Sequence, residues 1–293
     1  VDPVKKSLIT LHFTVMLLGG TALFAKLINL SATDITFGRS FFATILLFVF
    51  VKVSGESFKL DKARDYAIGI GLGLIMAVHW VAYFAAMQYS SVSVGIIALF
   101  TFPIITVLLE PLFAKTKLIW QDLVSAVIVL FGIYLVVPDI SLDNDITLGV
   151  LIGIFAAFLY ALRNILHRQY FSHYSGAKAM SYQTAVICVC LCWFLSDDFF
   201  TNAGLFDVNT GLLLLLLGSI FTALPHAFVA ASLKHLKAKT FSLVACMQPF
   251  YAVIFAMVLL NESPTWQTLL GGALVISAAV YETVNTHRTA NSA

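Results

Sequence analysis

Long apolar stretches alternate along the chain with short polar connections. A helix needs about 20 mostly apolar residues to cross a bilayer. Ten stretches meet that requirement, near residues 8–28, 34–53, 66–88, 92–113, 119–137, 147–167, 178–196, 210–233, 240–260 and 266–285. The runs are continuous and lack the two-residue alternation of an outer-membrane strand. Backbone groups in lipid must also be hydrogen-bonded internally, so helices are predicted throughout. The first run follows Lys5 and Lys6 as a secretory signal would, but it is too long for one and leads into further spans. The pattern predicts an all-α integral membrane protein with ten transmembrane helices.

Composition agrees with the pattern. Hydrophobic residues make up 60% of the chain and charged residues 11%, against about 25% charged in soluble domains. The formal net charge of +2 is too small to suggest a nucleic-acid partner. The placement of the charges says more. All of the 17 Lys and Arg except Lys26, Arg39 and Arg163 fall on alternate connections and the two termini. The opposite connections instead carry Asp139, Asp143, Asp145, Asp197, Asp198, Asp207 and Glu262. Positive residues stay on the cytoplasmic side, so both termini are expected in the cytoplasm and the chain in the inner (plasma) membrane.

A shift of 146 residues brings Pro103 onto Pro249, Trp120 onto Trp266 and Gln121 onto Gln267. Ala86–Pro103 then lies over Ser232–Pro249 without a gap. Each half, 1–138 and 146–288, holds five predicted spans. Five is odd, so the second half enters the membrane upside down, giving two inverted five-helix repeats that can rock about a central site. Duplication retained only for packing, as in a channel, is the alternative.

The stretch His79–Phe113, with a turn at Ser90 and Ser91 and a following helix that contains Pro103, resembles the EamA-type repeat of the drug/metabolite transporter superfamily. ALPHAFVAASLKHLKAKTFSLVACMQPFYAVIFAMVLLNESPTWQTLLGGALVI in the second half is similar to it as well, with Pro249, Glu262 and Gly271-Gly272. The resemblance covers nearly the whole chain. It implies a ten-helix secondary transporter of a small metabolite; members handle amino acids, nucleotide sugars, drugs and other metabolites. One departure is that Thr116 stands opposite Glu262, the first-half acid being Glu110, followed by Pro111, inside the span.

Ionisable and polar residues inside spans are costly unless they face a cavity or a partner. Lys26 and Arg39 lie toward the expected outer ends of the first two spans, where they either snorkel or pair with Asp34, or form an anion-attracting vestibule. Glu110 stands seven residues, about two turns, beyond Pro103 on the same helix face. It either forms an inner latch with Arg163 or binds a proton or a substrate amine. Pro103 and Pro249 remove backbone hydrogen bonds near mid-span and are candidate hinges. His79, Trp80 and Tyr83 in the third span combine a titratable ring with an aromatic wall, and His226 beside Pro225 is the approximate counterpart of His79 across the repeat. Tyr160, Arg163, Asn164 and His167 form a polar stripe on the sixth span, and Gln248 and Tyr251 flank Pro249 on the ninth. His12 is a weaker candidate in the first span.

The substrate cavity is thus expected among spans one, three, four, six, eight and nine, lined by His79, Trp80, Tyr83, Tyr160, Asn164, His226, Gln248 and Tyr251. Lys26, Arg39, Glu110 and Arg163 are expected along a charged pathway or gate. Cys188, Cys190 and Cys192 are spaced by two, turning about 200° each on a helix, and do not converge on a metal. There is no phosphate-binding loop, H-E-x-x-H or G-x-S-x-G motif. No enzyme activity or cofactor is expected. The expected partners are a small-molecule substrate, the bilayer and, for a coupled carrier, a proton. The favoured reading is export of an amino acid or related metabolite, with aromatic amino acids suggested by the aromatic lining. A proton-coupled exporter of organic cations, a channel and a membrane-embedded enzyme are the competing readings.

Overall fold

A computed structural model describes residues 3–113, 120–137, 141, 143–200, 205–226, 228 and 244–290. The later part of the expected eighth span and the start of the ninth, with Lys234, Lys237 and Lys239, lie outside these residues. So does the connection that holds Lys115, Thr116 and Lys117.

The helices are α1 (Pro3–Gly20), α2 (Phe24–Leu27), α3 (Ala32–Val53), α4 (Ala63–Tyr89), α5 (Val92–Leu99), α6 (Phe102–Phe113), α7 (Trp120–Val136), α8 (Asp145–Tyr170), α9 (Gly176–Leu191), α10 (Val208–Gly218), α11 (Gln248–Leu259) and α12 (Trp266–Ala290). No strand occurs among the described residues. Among the described residues, seven helical stretches are long and apolar enough to cross a membrane, and three shorter apolar helices, Trp120–Val136, Gln248–Leu259 and Trp266–Tyr281, accompany them. Apolar side chains such as Val53, Val127, Leu130 and Leu112 remain exposed on the outside of the bundle. That surface suits lipid, and the chain is a multi-pass membrane protein.

Helix starts follow local side-chain chemistry. Ser31, Ser91, Ser175 and Asp207 accept hydrogen bonds from the N–H groups of Asp34, Val94, Lys178 and Thr210, three residues on, and Asn144 accepts from Ile146. Each replaces a partner that the first helical turn lacks. The Thr210 N–H also holds the Asp207 carboxyl below the usual carboxylate range.

Helix interruptions are equally local. Between α5 and α6 the regular helix lapses at Phe100 and Thr101, just before Pro103. Pro103 offers no N–H to the carbonyl of Leu99 and its ring crowds that carbonyl. Before α11 the same occurs at Cys246 and Met247, with Pro249 in the first turn. The chain after α10 widens into a π-helical segment at Ser219–Ala223.

Two ends of the bundle can be distinguished by their interlocks. At the near end, the Asp34 carboxylate accepts from Ser31 Oγ and from the N–H and Oγ of Ser196 at 2.7, 3.1 and 2.6 Å. The Glu262 carboxylate accepts from the N–H groups of Val92 and Ser93 and from Ser93 Oγ at 2.7, 3.1 and 2.8 Å. An acid from the chain between α11 and α12 thereby caps the start of α5. At the far end, Tyr174 donates to Asp65, Ser175 to Glu56, and Lys178 to the Lys59 carbonyl, at 2.6, 2.6 and 2.7 Å.

The helices pack closely where glycines allow it. α7 and α12 cross at Gly132 and Gly271, where a Cβ added to Gly271 would stand 2.4 Å from the Gly132 carbonyl oxygen. Gly71 on α4, by contrast, has open space beside it. Gly271→Ala is therefore expected to lower the thermal unfolding midpoint of the detergent-purified protein, by an overpacking cost of about 1–3 kcal/mol. Gly71→Ala is expected to be neutral or to stabilise by up to about 1 kcal/mol through helix propensity. Removing the cap in Glu262→Ala is expected to cost about 0.5–2 kcal/mol; a midpoint unmoved by that change would show that the cap contributes nothing to stability.

Candidate functional site

The proline break between α5 and α6 opens onto a cavity of about 360 Å³ inside the bundle. Its wall is assembled from seven stretches of chain: Leu18 and Thr21; Arg39 of α3; Met76, His79, Trp80 and Tyr83 of α4; Leu99, Phe100, Phe102 and Pro103 at the break; Tyr160 and Asn164 of α8; His226; and Ala245, Cys246 and Gln248. A volume near the lower end of the small-ligand range, about 300–1,000 Å³, fits a metabolite and excludes a macromolecule.

His79 is part of this wall. It is buried, and its Nδ1 lies 2.8 Å from the Ala156 carbonyl, which can only accept, so Nδ1 carries the proton. In the neutral ring Nε2 is then the acceptor. The imidazole stacks on Tyr160 with centroids 5.0 Å apart, and Phe102 meets Tyr160 edge-on at 4.9 Å. Tyr83 lies 6.4 Å from the imidazole. The ordering of His79 by a carbonyl on α8 is possible because α4 and α8 run against each other along their length, with the small residues Gly149, Gly153, Ala156 and Ala157 buried on α8.

Arg39 brings a charge to the same wall from the second span, which the sequence reading placed outside the cavity. Its guanidinium lies 3.8 Å above the centre of the Trp80 ring, and Nε donates to Thr222 Oγ1 at 2.7 Å. Thr222 belongs to the π-helical segment and passes its own hydroxyl to the Leu217 carbonyl at 2.7 Å. Thr21 Oγ1 reaches the Phe221 carbonyl of that segment at 3.2 Å. Neither Thr21 nor Thr222 was a sequence candidate. Hydroxyls that satisfy a widened helical turn look, in sequence, like any other Thr in an apolar run.

The remaining sequence candidates distribute as follows. His226, Asn164, Gln248, Tyr160 and Pro103 border the cavity. Pro249 is buried beside it at the start of α11. Tyr251 does not border it: its Cβ approaches Gly19, and its ring joins the cluster of Leu11, Val15 and Val244 between α1 and α11. Lys26 is exposed and donates to the carbonyls of Gln88 and Ser90 at 3.0 and 3.2 Å. It thus completes the C-terminus of α4, where a cation is favourable, and Asp34 is occupied by serines instead. Glu110 pairs with Arg168, not Arg163. Arg163, five residues earlier on α8, places Nε and Nη2 on Gln183 Oε1 at 2.9 and 2.7 Å and Nη1 on Asn164 Oδ1 at 3.1 Å. His167 and His12 do not border the cavity.

The cavity wall includes one cation, Arg39, and no Asp or Glu among the described residues; Arg163 lies behind it, donating to Asn164 of the wall. Aromatic surface and hydrogen-bonding groups make up most of the rest.

Comparison with known proteins agrees with a membrane transporter. The chain is 23% identical to the uncharacterized transporter YxxF of Bacillus subtilis, over 97% of this chain and 92% of that one. It is 24% identical to the S-adenosylmethionine uptake transporter of Rickettsia felis, over 86% and 83%. A solved crystal structure superposes on 97% of this chain and 99% of its own with a TM-score of 0.66 at 16% identity, a likeness of fold alone. The EamA-like transporter family matches residues 5–137 and again 147–281, and the chain belongs to that family of transporters.

Proposed function

We propose that the chain is a secondary transporter that carries an amino acid or a closely related metabolite with a flat ring across the inner membrane by alternating access. The observation that carries this reading is the cavity itself: an aromatic and hydrogen-bonding chamber at a proline-broken helix, inside the bundle of a transporter-family protein. The names of the Rickettsia relatives add weight, since S-adenosylmethionine joins an amino acid to a flat base.

The proposed architecture is ten spans in two inverted halves, 1–138 and 146–288. Helix contacts support the exchange of halves. α4 packs on α8 as α1 packs on the π-helical segment after α10; α4 on α9 as α3 on α10; and α6 on α8 as α11 on α1. The pairs α3 with α9, α5 with α11 and α7 with α12 join equivalent elements of the two halves. The two family matches are also of similar length. The far end, which carries Lys59, Lys62, Arg168 and Lys178, is proposed to face the cytoplasm with both termini. Breaks before Pro103 and Pro249 supply the hinges of the rocking motion.

Export is the proposed direction in the cell. Because the Rickettsia relatives are named for uptake, inside-out and right-side-out vesicles preloaded with substrate provide the direct measurement. A proton-coupled exporter of organic cations is less well supported, since Glu110 pairs with Arg168 away from the cavity.

The test is counterflow in proteoliposomes, loading one unlabelled metabolite at a time from a panel of amino acids and S-adenosylmethionine and following entry of its labelled form. Saturable accumulation is expected, reduced about tenfold or more by His79→Ala, the equivalent of about 1.4 kcal/mol, and little changed by Glu110→Gln. Flux that rises linearly without counterflow would mean a channel. A panel that gives no counterflow would overturn the proposal.

A further inference from the structure

Arg39 is 4% exposed, yet it lies in a membrane-spanning bundle without an acidic partner among the described residues. A buried cation of this kind is costly and is normally paired. Trp80 offsets part of that cost by presenting its ring face at 3.8 Å. A guanidinium has five N–H donors, and among the described residues only Nε uses one, on Thr222. The four N–H groups on the terminal nitrogens are the fork that a carboxylate oxygen pair fills.

The neighbouring acid that would be the natural partner is engaged elsewhere: Asp34, in the first turn of the same helix, is held by Ser31 and Ser196. A second donor is at hand. The Tyr83 side chain is 5% exposed and borders the cavity, and its hydroxyl has no hydrogen-bond partner among the described residues. Tyr83 and Trp80 lie three residues apart on α4, about one turn of helix, so one face of α4 carries both the hydroxyl and the ring on which the Arg39 guanidinium of α3 stacks. The π-helical turn that holds Thr222 fixes the other edge of Arg39. Such turns occur disproportionately at functional sites.

We infer that Arg39 and Tyr83 form the subsite for the carboxylate of the carried molecule, so that the cavity selects acids and zwitterions over the corresponding amides and amines. This rests on the cavity's being the substrate site. The rest of the chamber, His79 stacked on Tyr160 with Phe102 at its edge, then receives the ring. The Arg39 charge, which has no carboxylate partner among the described residues, is matched by the charge of the cargo.

The experiment uses the detergent-purified full chain and five probes that share a phenyl ring: L-phenylalanine, 3-phenylpropionate, phenylalaninamide, phenethylamine and phenyl phosphate. Binding is read as the shift of the thermal unfolding midpoint, and transport as counterflow in proteoliposomes. Phenylalanine and 3-phenylpropionate are expected to bind, with the amide and the amine at least about tenfold weaker. Arg39→Gln is expected to abolish binding of both acids, Arg39→Lys to retain part of it, and Tyr83→Phe to weaken it several-fold. If Arg39→Gln fails to give a monodisperse protein, the acid and amide series on the unaltered chain and Tyr83→Phe decide the matter. Equal binding of acid, amide and amine, or acid binding unchanged in Arg39→Gln, would overturn the assignment; tighter binding of phenyl phosphate would overturn it in favour of a phosphoryl group.

The two readings fail separately. Counterflow without preference for the acids keeps the carrier and removes the Arg39 subsite. Acid-selective binding without counterflow keeps the subsite and removes the carrier. Neither binding nor counterflow by any acid removes both.

Discussion

In hydrocarbon no water is available to complete a hydrogen bond, so every polar group of this chain must find its partner inside the bundle. That constraint governs the rest. Serines, threonines, an asparagine and an aspartate start or stabilise helices by supplying the missing acceptor or donor. The lapse before Pro103 lies against the cavity, and the widened turn at Ser219–Ala223 reaches it through the hydrogen bond from Arg39 to Thr222. The same breaks that would be penalised on a lipid-facing surface here give the interior its shape.

The cavity combines a well-tethered imidazole with a guanidinium whose neighbours are aromatic. His79 is held by a carbonyl of α8 and a stacked tyrosine, so its orientation depends on the α4–α8 contact. Arg39 is held from two sides, by Trp80 of α4 and by Thr222 beyond α10, and its position depends on three elements at once. A relative movement of those elements would change the environment of the charge more than that of the imidazole. The two groups thus share α4 and differ in their second anchor, which is α8 for the imidazole and the turn beyond α10 for the guanidinium.

Much of this was legible in the sequence because its determinants are local. Apolar run length reports helices, and Pro103 and Pro249 report the breaks. His79, Trp80, Tyr83, Tyr160 and His226 stand out as polar or aromatic interruptions in apolar runs. Other features were not legible, because a helix's rotation about its own axis is set by its neighbours. Tyr251 is three residues from Gln248, yet it turns toward Gly19 and α1. Arg168, five residues beyond Arg163 on α8, reaches Glu110, because depth along two separate helices must match within a turn for an ion pair to form. Arg163 finds Gln183 across α9, a neutral partner that charge counting does not suggest. Arg39 looks like an end-of-span cation in sequence, and only the approach of α4 and the turn beyond α10 brings it to the cavity.

Glu262 has a consequence for biosynthesis. Ser91 satisfies the Val94 N–H as soon as that stretch has been made, but the N–H groups of Val92 and Ser93 are satisfied by a carboxylate 169 or more residues further along the chain. While the ribosome is still synthesising the second half, the start of α5 has only its serine cap. Closure of the near end must await nearly the last span, so the first half reaches its final form late, as part of one assembly with the second, and a truncated product that stops before residue 262 would expose two bare amide donors at the head of the helix that leads into the cavity.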